Sequence, residues 1–277
     1  MQFVKDIAAA TKLQTRPYQF RIVNKTLDMF QGRYKNGAGQ LEVPARSVLI
    51  ESPTGSGKTV MGWLAAKALQ VELAEKGEEL VVGWVAMRRN LLTQAALENT
   101  GKGINVAGVK MVSMFDKDPA DLLAAKKAGK KVLLVVDEAQ HDAASSMAHL
   151  HNEIEPEFIL GLSATPFRSD RVKLCFDKVI KDAGIHQLIQ DGFLSKYHHY
   201  SIPDWRVESV VEAYLREPGR WGKSAMYFVN LAQCHLAARL LREGGTVCDV
   251  VTGDTDVEEQ LEASRRGDVP VLSLIHI

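Results

Sequence analysis

Short, continuously apolar runs alternate along the chain with longer segments in which apolar residues recur every three to four positions. The apolar runs are Ser47–Ile50, Leu80–Ala86, Val109–Phe115, Val132–Val136 and Phe158–Leu162. Because these runs do not alternate with polar residues, they indicate strands buried on both faces of a parallel sheet. The helix-period segments between them include Thr59–Ala74, Arg88–Glu98 and Pro119–Lys127. This order of strand, helix and strand predicts a doubly wound α/β domain.

The same order of elements returns after about Pro203. The predicted strands there are Ala225–Val229, Thr246–Val251 and Val269–Leu274, and the predicted helices are Leu231–Arg242 and Val257–Arg266. The stretch Asp182–Asp204 is typical of a connection, with a helix near Gly184–Gln190 and a strand near Lys196–Ser201. We therefore predict a first domain over 1–182, a connection over 183–204 and a second domain over 205–277.

Composition narrows the class of protein. Hydrophobic residues make up 46% of the 277 positions and charged residues 25%, while the net charge is zero. A zero net charge gives no global sign of nucleic-acid binding, which must then rest on local patches. No apolar run approaches the ~20 residues that span a bilayer, so we expect no membrane contact. Three scattered cysteines without a metal-binding spacing favour a reducing, cytoplasmic location.

A phosphate-binding loop is predicted at 47–59, where the sequence reads SVLIESPTGSGKT. An apolar strand enters a glycine-rich turn, and a helix follows, so backbone N–H groups can cradle phosphate oxygens at the helix N-terminus. Lys58 supplies a point charge for the β and γ phosphates, and the Thr59 hydroxyl is suited to ligate Mg²⁺. The strict pattern has glycine where this chain has Ser52, and the alternative is a flexible turn before a helix. The predicted ATP-binding residues of the loop are Pro53, Thr54, Gly55, Ser56, Gly57, Lys58 and Thr59.

A second candidate site residue pair follows the apolar strand at 132–136, in the sequence VLLVVDE. Asp137 and Glu138 lie at the carboxyl end of the strand, where α/β sheets bind ligands. We expect Asp137 to anchor Mg²⁺ opposite Thr59, and Glu138 to orient or deprotonate the attacking water. The alternative is a pair of exposed acids that cap a helix. A kinase needs no such water activator, because its substrate supplies the nucleophile.

Three motifs in order carry a family resemblance: PTGSGKT at 53–59, DEAQ at 137–140 and SATP at 163–166. Together they resemble superfamily-two helicases of the DEAD/DEAH-like group, which includes type III restriction-enzyme res subunits and related phage helicases. RPYQ at 16–19 and IHQLIQDGFLS at 185–195 also match that group. The resemblance implies an α/β fold, with a RecA-like P-loop domain followed by an incomplete second RecA-like domain.

The resemblance also implies roles for individual residues. Gln19 resembles the glutamine that reads the adenine edge, and Arg16 resembles a residue that packs on the base. Ser163 and Thr165 resemble the hydroxyl pair that couples hydrolysis to domain movement. The family often has histidine at the fourth position of the acidic motif, where this chain has Gln140. We expect Gln140 to bond to one of those two hydroxyl residues and to report the nucleotide state.

Nucleic acid is the partner that the resemblance implies, DNA more than RNA because of the restriction-enzyme type. Such motors grip the phosphate backbone, which makes binding tolerant of sequence and dependent on salt. Solvated loop residues remain the alternative at each candidate position, and we favour that alternative for the basic cluster at 126–131. The candidate contacts are Arg88, Arg89, Asn90, Ser113, Asn230, Thr252 and Gly253.

The chain closes with VLSLIHI at 271–277. Members of the resembling group continue with an arginine-rich helix whose arginine reaches the γ-phosphate, and the stretch 272–277 resembles a translated sequencing adapter. We therefore expect a truncated second domain and little nucleic-acid-stimulated hydrolysis by these 277 residues. The leading hypothesis is an ATP-dependent motor on nucleic acid; the alternatives are a nucleotide-dependent nucleic-acid clamp with little turnover and a P-loop kinase.

Overall fold

The computed structural model describes residues 2–115, 119–141, 145–167 and 174–275. The chain divides into two compact units, Met1–Lys196 and Tyr197–Ile277. Residues 183–196, which the sequence analysis gave to a connection, lie in the first unit. Within the described residues, no helix has both the length and the apolar character needed to cross a lipid bilayer.

The first unit is built from helices and strands in alternation. Its strands are β1 Ser47–Glu51, β2 Leu80–Ala86, β3 Val109–Ser113, β4 Lys131–Asp137, β5 Phe158–Ser163 and β6 Lys178–Lys181. Its helices are α1 Gln2–Ala9, α2 Pro17–Phe30, α3 Lys58–Glu75, α4 Arg89–Gly101, α5 Ala120–Lys127, α6 Ser145–Ile154 and α7 Ile185–Gln190, with a 3₁₀ turn at Ala139–His141.

The six strands form one parallel sheet in the order β3-β2-β4-β5-β1-β6. A parallel sheet needs helical crossovers on its faces, which buries strands on both sides. Adjacent residues of β1 illustrate this, since Val48 and Ile50 join one core cluster and Leu49 joins the other. The α/β fold predicted from the apolar runs is confirmed, and its parallel sheet agrees with the RecA-like domain that the family resemblance implies.

Two core layers hold this sheet. Helices α1 to α4 cover one face and contribute to the larger cluster, in which the indole rings of Trp63 and Trp84 stack at 3.9 Å. Helices α5 and α6 cover the other face, with Leu122 and Leu150 fully buried. Burying residues of this size stabilises each position by about 1.5–3 kcal/mol, so the sheet is a rigid base for the groups at its edges.

The second unit repeats the strand and helix order on a smaller scale. Its elements are α8 Val207–Arg216, α9 Pro218–Trp221, β7 Ser224–Phe228, α10 Leu231–Glu243, β8 Cys248–Val251, α11 Val257–Arg266 and β9 Val271–Ile275. The strands are parallel in the order β7-β9-β8. Helices α8 and α10 supply the apolar side chains that form a single core cluster with the sheet.

One predicted strand is wrong. The stretch Lys196–Ser201 forms no strand, and its side chains are exposed. An aromatic residue of this stretch packs against a ring of α9 instead: the Tyr200 ring lies edge-on to the Trp221 ring, with the ring centroids 5.5 Å apart. The helix near Gly184–Gln190 is present as α7.

Candidate functional site

The predicted site residues meet at one edge of the large sheet. Strand β5 lies between β4 and β1, and Asp137 aligns with Leu162, which in turn aligns with Ile50. Strands are spaced ~4.8 Å apart, so the end of β4 lies about 10 Å from the start of the phosphate loop. The carboxyl ends of parallel strands therefore bring the loop and the acidic pair to one place.

The loop between β1 and α3 depends on two glycines. Gly55 and Gly57 have φ values of 79° and 81°, in the left-handed region that glycine adopts without strain. A Cβ on Gly57 would lie 2.6 Å from the Gln19 amide nitrogen, so this position also requires close approach. Gly57 precedes the first residue of α3, Lys58, which leaves the loop N–H groups at a helix N-terminus.

The structure shows what Ser52 does at the position where the strict phosphate-loop pattern has glycine. Its hydroxyl donates to the Ser56 hydroxyl at 2.8 Å, and both side chains are buried. The Ser52 N–H also donates to the Ser163 carbonyl at 3.0 Å, which ties the loop to the end of β5. A serine here therefore closes the loop with a side-chain bond that glycine lacks.

The start of α2 fastens onto the same loop. The Tyr18 hydroxyl and the Gln19 Nε2 both donate to the Ser56 carbonyl, at 2.6 and 2.9 Å. The other end of the Gln19 amide accepts from the Arg16 N–H at 2.9 Å, and Gln19 is only 3% exposed. The Arg16 guanidinium donates to the Gly55 carbonyl at 3.4 Å. The structure thus brings Arg16 and Gln19 to the loop, with the amide of Gln19 bonded at both ends.

Burial and mutual charge set the protonation of the charged groups. Burial raises the pKa of Asp137 to about 6, and the negative charge of Glu138 adds to this effect. The Glu138 N–H, which donates to the Asp137 carboxylate, and the positive charge of Lys58 act in the opposite direction and lower the pKa. Burial lowers the pKa of Lys58, while the charges of Glu138 and Asp137 raise it. Two adjacent carboxylates and one ammonium thus share a poorly hydrated site, where each charge interacts strongly with a ligand.

Magnesium fits this donor set when a nucleotide is bound with it. Mg²⁺ is usually held by one or two carboxylates together with waters and substrate phosphates. Asp137 is a buried carboxylate beside a second negative charge, an environment that a divalent cation would relieve. Within the described ranges, no group of three or more His, Cys, Asp or Glu side chains could hold a metal ion. Thr59 and Asp137 would therefore need phosphate oxygens to complete the coordination.

A hydrogen-bonded chain connects the acidic pair to the end of β5. Glu138 accepts from the Gln140 Nε2 at 2.6 Å, and the Gln140 Oε1 lies 2.5 Å from the Ser163 hydroxyl. That hydroxyl is also 2.5 Å from the Thr165 carbonyl and accepts from the Thr165 N–H at 3.1 Å. Since one hydroxyl carries one proton, Ser163 can donate to only one of its two acceptors at a time. Glu138 has a φ of 52°, a conformation that costs a non-glycine residue energy and persists where its surroundings hold it.

The first group of candidate nucleic-acid contacts lies together at the edge of β2 and β3. Ser113 aligns with Ala86, and the Arg88–Asn90 segment follows directly after β2. Arg88, Arg89 and Asn90 are exposed at the start of α4, although Asn90 also accepts from the Leu91 N–H at 2.9 Å. Two strong positive charges and a helix N-terminus can hold phosphate groups here.

The second group lies in the second unit, at the carboxyl ends of β7 and β8. Asn230 caps α10, because its side-chain oxygen accepts from the Gln233 N–H at 2.9 Å. The Thr252 hydroxyl accepts from the Asp254 N–H at 3.2 Å, in the exposed turn that contains Gly253. Both polar groups therefore serve their own turns in this structure, and their contact with nucleic acid stays a prediction.

The basic cluster at 126–131 is engaged with carboxylates. Lys126, Lys130 and Lys131 form ion pairs with Glu157, Glu79 and Glu78, at 2.5, 2.6 and 2.8 Å. Paired lysines offer less net charge to a phosphate backbone, which supports the interpretation of this cluster as a solvated helix end.

Sequence reasoning missed three contributors to the site. Tyr18 binds the loop carbonyl, Leu194 packs against Gly55, and the Phe193 ring lies 5.4 Å from the Arg16 guanidinium. Tyr18 could have been found from its position inside the RPYQ motif at 16–19. Phe193 and Leu194 could have been found from the family-like segment IHQLIQDGFLS at 185–195. Arg168, which closely follows the SATP segment, lies outside the described residues, as do residues 276 and 277.

Comparison with known proteins agrees with this geometry. Residues 12–105 match the family model of the type III restriction enzyme, res subunit. The region that matches the res-subunit family contains Arg16, Gln19 and the whole phosphate loop, and it ends before Asp137. No curated protein matches the chain.

Solved structures share the fold at low sequence identity. The Pyrococcus furiosus Hef helicase domain is 13% identical with a TM-score of 0.51, covering 95% of this chain and 86% of its own. A substituted Saccharomyces cerevisiae Dbp5 bound to RNA and ADP BeF3 is 14% identical with a TM-score of 0.51, covering 92% and 69%. A second Dbp5 structure, bound to Nup159, Gle1, IP6 and ADP, is 15% identical with a TM-score of 0.50, covering 100% and 76%.

The sequence match over residues 12–105 confirms the resemblance to the res-subunit family, and the solved structures share the fold. At the level of the family, this supports a protein that uses ATP and acts on nucleic acid.

Proposed function

We propose that this chain is an ATP-dependent helicase or translocase that acts on nucleic acid, DNA more than RNA. One observation carries the proposal: the phosphate loop and the acidic pair meet at one sheet edge, and hydrogen bonds continue from Glu138 through Gln140 to Ser163. A site that only bound nucleotide would need the phosphate loop and nothing more. The further chain of bonds is what a motor needs to pass the state of the nucleotide to the rest of the molecule.

ATP is held by the loop in this proposal. The backbone N–H groups of Pro53–Lys58, proline excepted, surround the phosphates, and the Lys58 ammonium neutralises their charge. Thr59 and Asp137 would hold Mg²⁺ together with phosphate oxygens, and the ion would supply charge neutralisation to the transferring phosphoryl group. The low pKa of Lys58 relative to an exposed lysine does not remove this charge, because a bound phosphate favours the ammonium form.

Glu138 acts on water. Its carboxylate is held by the Gln140 amide, and the left-handed backbone fixes where it points. A carboxylate at this place can accept a proton from the attacking water or orient it. A phosphate transfer to a small acceptor needs no such group, which argues against a P-loop kinase.

Coupling runs through Ser163. Its single proton is shared between the Gln140 amide oxygen and the Thr165 carbonyl, so the bond pattern has two arrangements. A change at Glu138 on hydrolysis would favour one arrangement over the other, and Thr165 would then shift with it.

DNA is favoured over RNA because the matched family is a restriction-enzyme subunit. RNA is the second candidate substrate, because one solved structure with the same fold is bound to RNA. Arg88, Arg89, Asn90 and Ser113 would contact the phosphate backbone from the first unit, and Asn230, Thr252 and Gly253 from the second. Three free cysteines, two of them buried, fit the cytoplasm, where we propose that the protein works.

The test measures ATP affinity and ATP turnover with single- and double-stranded DNA and RNA, using Lys58→Ala as the blank. We expect DNA to raise ATP affinity more than RNA does, because the matched family is a restriction-enzyme subunit. A nucleic acid that binds the ATP-bound form more tightly must raise ATP affinity by the same free energy. Coupled binding without turnover would favour the alternative, a nucleotide-dependent nucleic-acid clamp. No coupling with any of the four nucleic acids would contradict the proposal.

A further inference from the structure

We propose that the Phe193 ring stacks on the base of the bound nucleotide, beside the Arg16 guanidinium, whose base contact the family resemblance already implies. This inference rests on the ATP site proposed above, and it adds a base-binding residue from a segment far along the chain.

The segment that carries Phe193 folds back onto the phosphate loop. After α7, the N–H groups of Phe193 and Leu194 both donate to the Leu188 carbonyl, at 2.8 and 3.0 Å. Gly192 has a φ of 74°, which permits this reversal. Leu194 then lies against Gly55, since a Cβ there would be 3.1 Å from the leucine Cδ2. The turn thus ends in direct contact with the loop.

The Phe193 ring contacts the two residues that brace the loop. The Arg16 Cζ lies 5.4 Å from the ring centroid, and the Tyr18 ring lies 5.6 Å away at 56°. Arg16 donates in turn to the Tyr18 hydroxyl at 3.2 Å and to the Gly55 carbonyl at 3.4 Å. Ring, cation and loop therefore form one continuous set of contacts.

Exposure decides which of these groups can meet a base. Gln19 is buried, and its amide is bonded at both ends to the Arg16 N–H and the Ser56 carbonyl. Arg16 and Phe193 are only partly buried. A guanidinium plane and an aromatic ring both stack on flat aromatic partners such as a nucleobase. These two partly buried flat groups beside the loop are therefore more accessible to a base than the buried amide of Gln19.

The experiment compares two ligands that differ in having a base. Mg-ATP and magnesium tripolyphosphate are titrated by calorimetry into the wild-type chain and into Phe193→Leu, which keeps apolar packing but loses the ring. We expect Phe193→Leu to weaken ATP binding about two- to fivefold, as for a partly exposed ring–cation contact, and to leave tripolyphosphate affinity unchanged. Phe193→Tyr, which keeps the ring, should restore ATP affinity.

The controls separate stacking from support of the loop. Phe3→Leu makes the same change at a partly buried phenylalanine of α1 and should alter neither ligand. An equal loss for ATP and tripolyphosphate in Phe193→Leu would show that Phe193 only braces the loop, and unchanged affinity for both would show no contact; either result overturns the inference. Should the wild type bind neither ligand, the proposed ATP site itself fails.

Discussion

Glu138 lies beside Asp137, the candidate metal-binding carboxylate, and its proposed role is to activate the attacking water. Its carboxylate accepts from Gln140, and its backbone is held in the left-handed region. Replacing the carboxylate by an amide keeps the size and the acceptor oxygen while removing the basicity.

We therefore expect Glu138→Gln to keep Mg-ATP affinity and to lower turnover by about 10²–10⁴-fold, the usual contribution of general base catalysis. Single-turnover hydrolysis, with protein in excess over ATP and long reaction times, measures this without requiring stimulation by nucleic acid. Glu75→Gln, an exposed position at the end of α3, serves as the matched control. Turnover of Glu138→Gln within a few-fold of the wild type would mean that Glu138 is not the base.

Asp137 gives the metal-free protein a pH dependence whose sign can be worked out. Its folded pKa of about 6 lies above the ordinary value of 3.8, so the folded state prefers the protonated form. The stabilising effect of this group is full below pH 4 and is lost as pH rises through 6. A shift of about two pH units corresponds to on the order of 3 kcal/mol.

Asp137→Asn should accordingly raise the unfolding free energy at pH 8 by on the order of 1–3 kcal/mol, and by much less near pH 4. Denaturant unfolding in EDTA at both pH values measures this. Asp6→Asn, at an exposed position of α1, should show no such pH-dependent gain. Equal effects of Asp137→Asn at the two pH values would contradict the assignment of a buried carboxylate with a raised pKa.

At the scale of elements, the strands were predictable because burial on both faces leaves a continuous apolar run. Strand β6 was missed because only Ile180 of its four residues is buried, so no run marks it. The strand predicted at 196–201 was wrong for the opposite reason. Its aromatic residues favour strands, but here they are exposed and pair with no neighbouring strand in the described part of the chain.

The start of α4 carries the prediction for nucleic acid. Arg88 and Arg89 lie exposed beside Ser113 on the neighbouring strand. Replacing both arginines by alanine should weaken binding to all sequences alike and reduce the slope of log affinity against log salt by about one for each lost phosphate contact. Fluorescence anisotropy over a salt series measures the slope.

A matched variant removes the same charge elsewhere. Lys127→Ala with Lys130→Ala also deletes two positive charges, at a helix end where Lys130 pairs with Glu79. Its salt slope should stay at the wild-type value. If both variants lowered the salt slope equally, the two arginines would contribute only to the overall electrostatic potential of the protein and would make no specific phosphate contact.

At the scale of the whole molecule, the two units differ in how much core holds them. The first sheet is covered on both faces by two clusters, whereas the second unit has one cluster formed with α8 and α10. Tyr227, in the middle of β7, is 62% exposed. A thinner core lowers the free energy of local opening.

We therefore expect amides of β7, β8 and β9 to exchange with deuterium faster than those of β1, β4 and β5. Hydrogen exchange read by mass spectrometry on the intact chain, at one pH and temperature, measures the difference. Equal or slower exchange in the second unit would contradict this view of its stability.

The sequence predicted the local parts of the site better than its long-range contacts. The loop, the acidic pair and the SATP segment are each contiguous in sequence and tied to a strand end, so their pattern is visible. The bonds of Tyr18 and Gln19 to Ser56 join residues 38 and 37 positions apart, and the contact of Phe193 with Arg16 spans far more. Periodicity carries no information on such pairs, because they depend on how whole elements pack.

The central claim is that the loop after β1 binds the phosphates of Mg-ATP through Lys58. Calorimetric titration of Mg-ATP into the wild type and Lys58→Ala, with circular dichroism to check that both are folded, tests it most directly. Losing a charge-assisted bond of about 1.5–3 kcal/mol should weaken binding roughly 10- to 100-fold. Equal affinity in the two folded proteins would contradict the account.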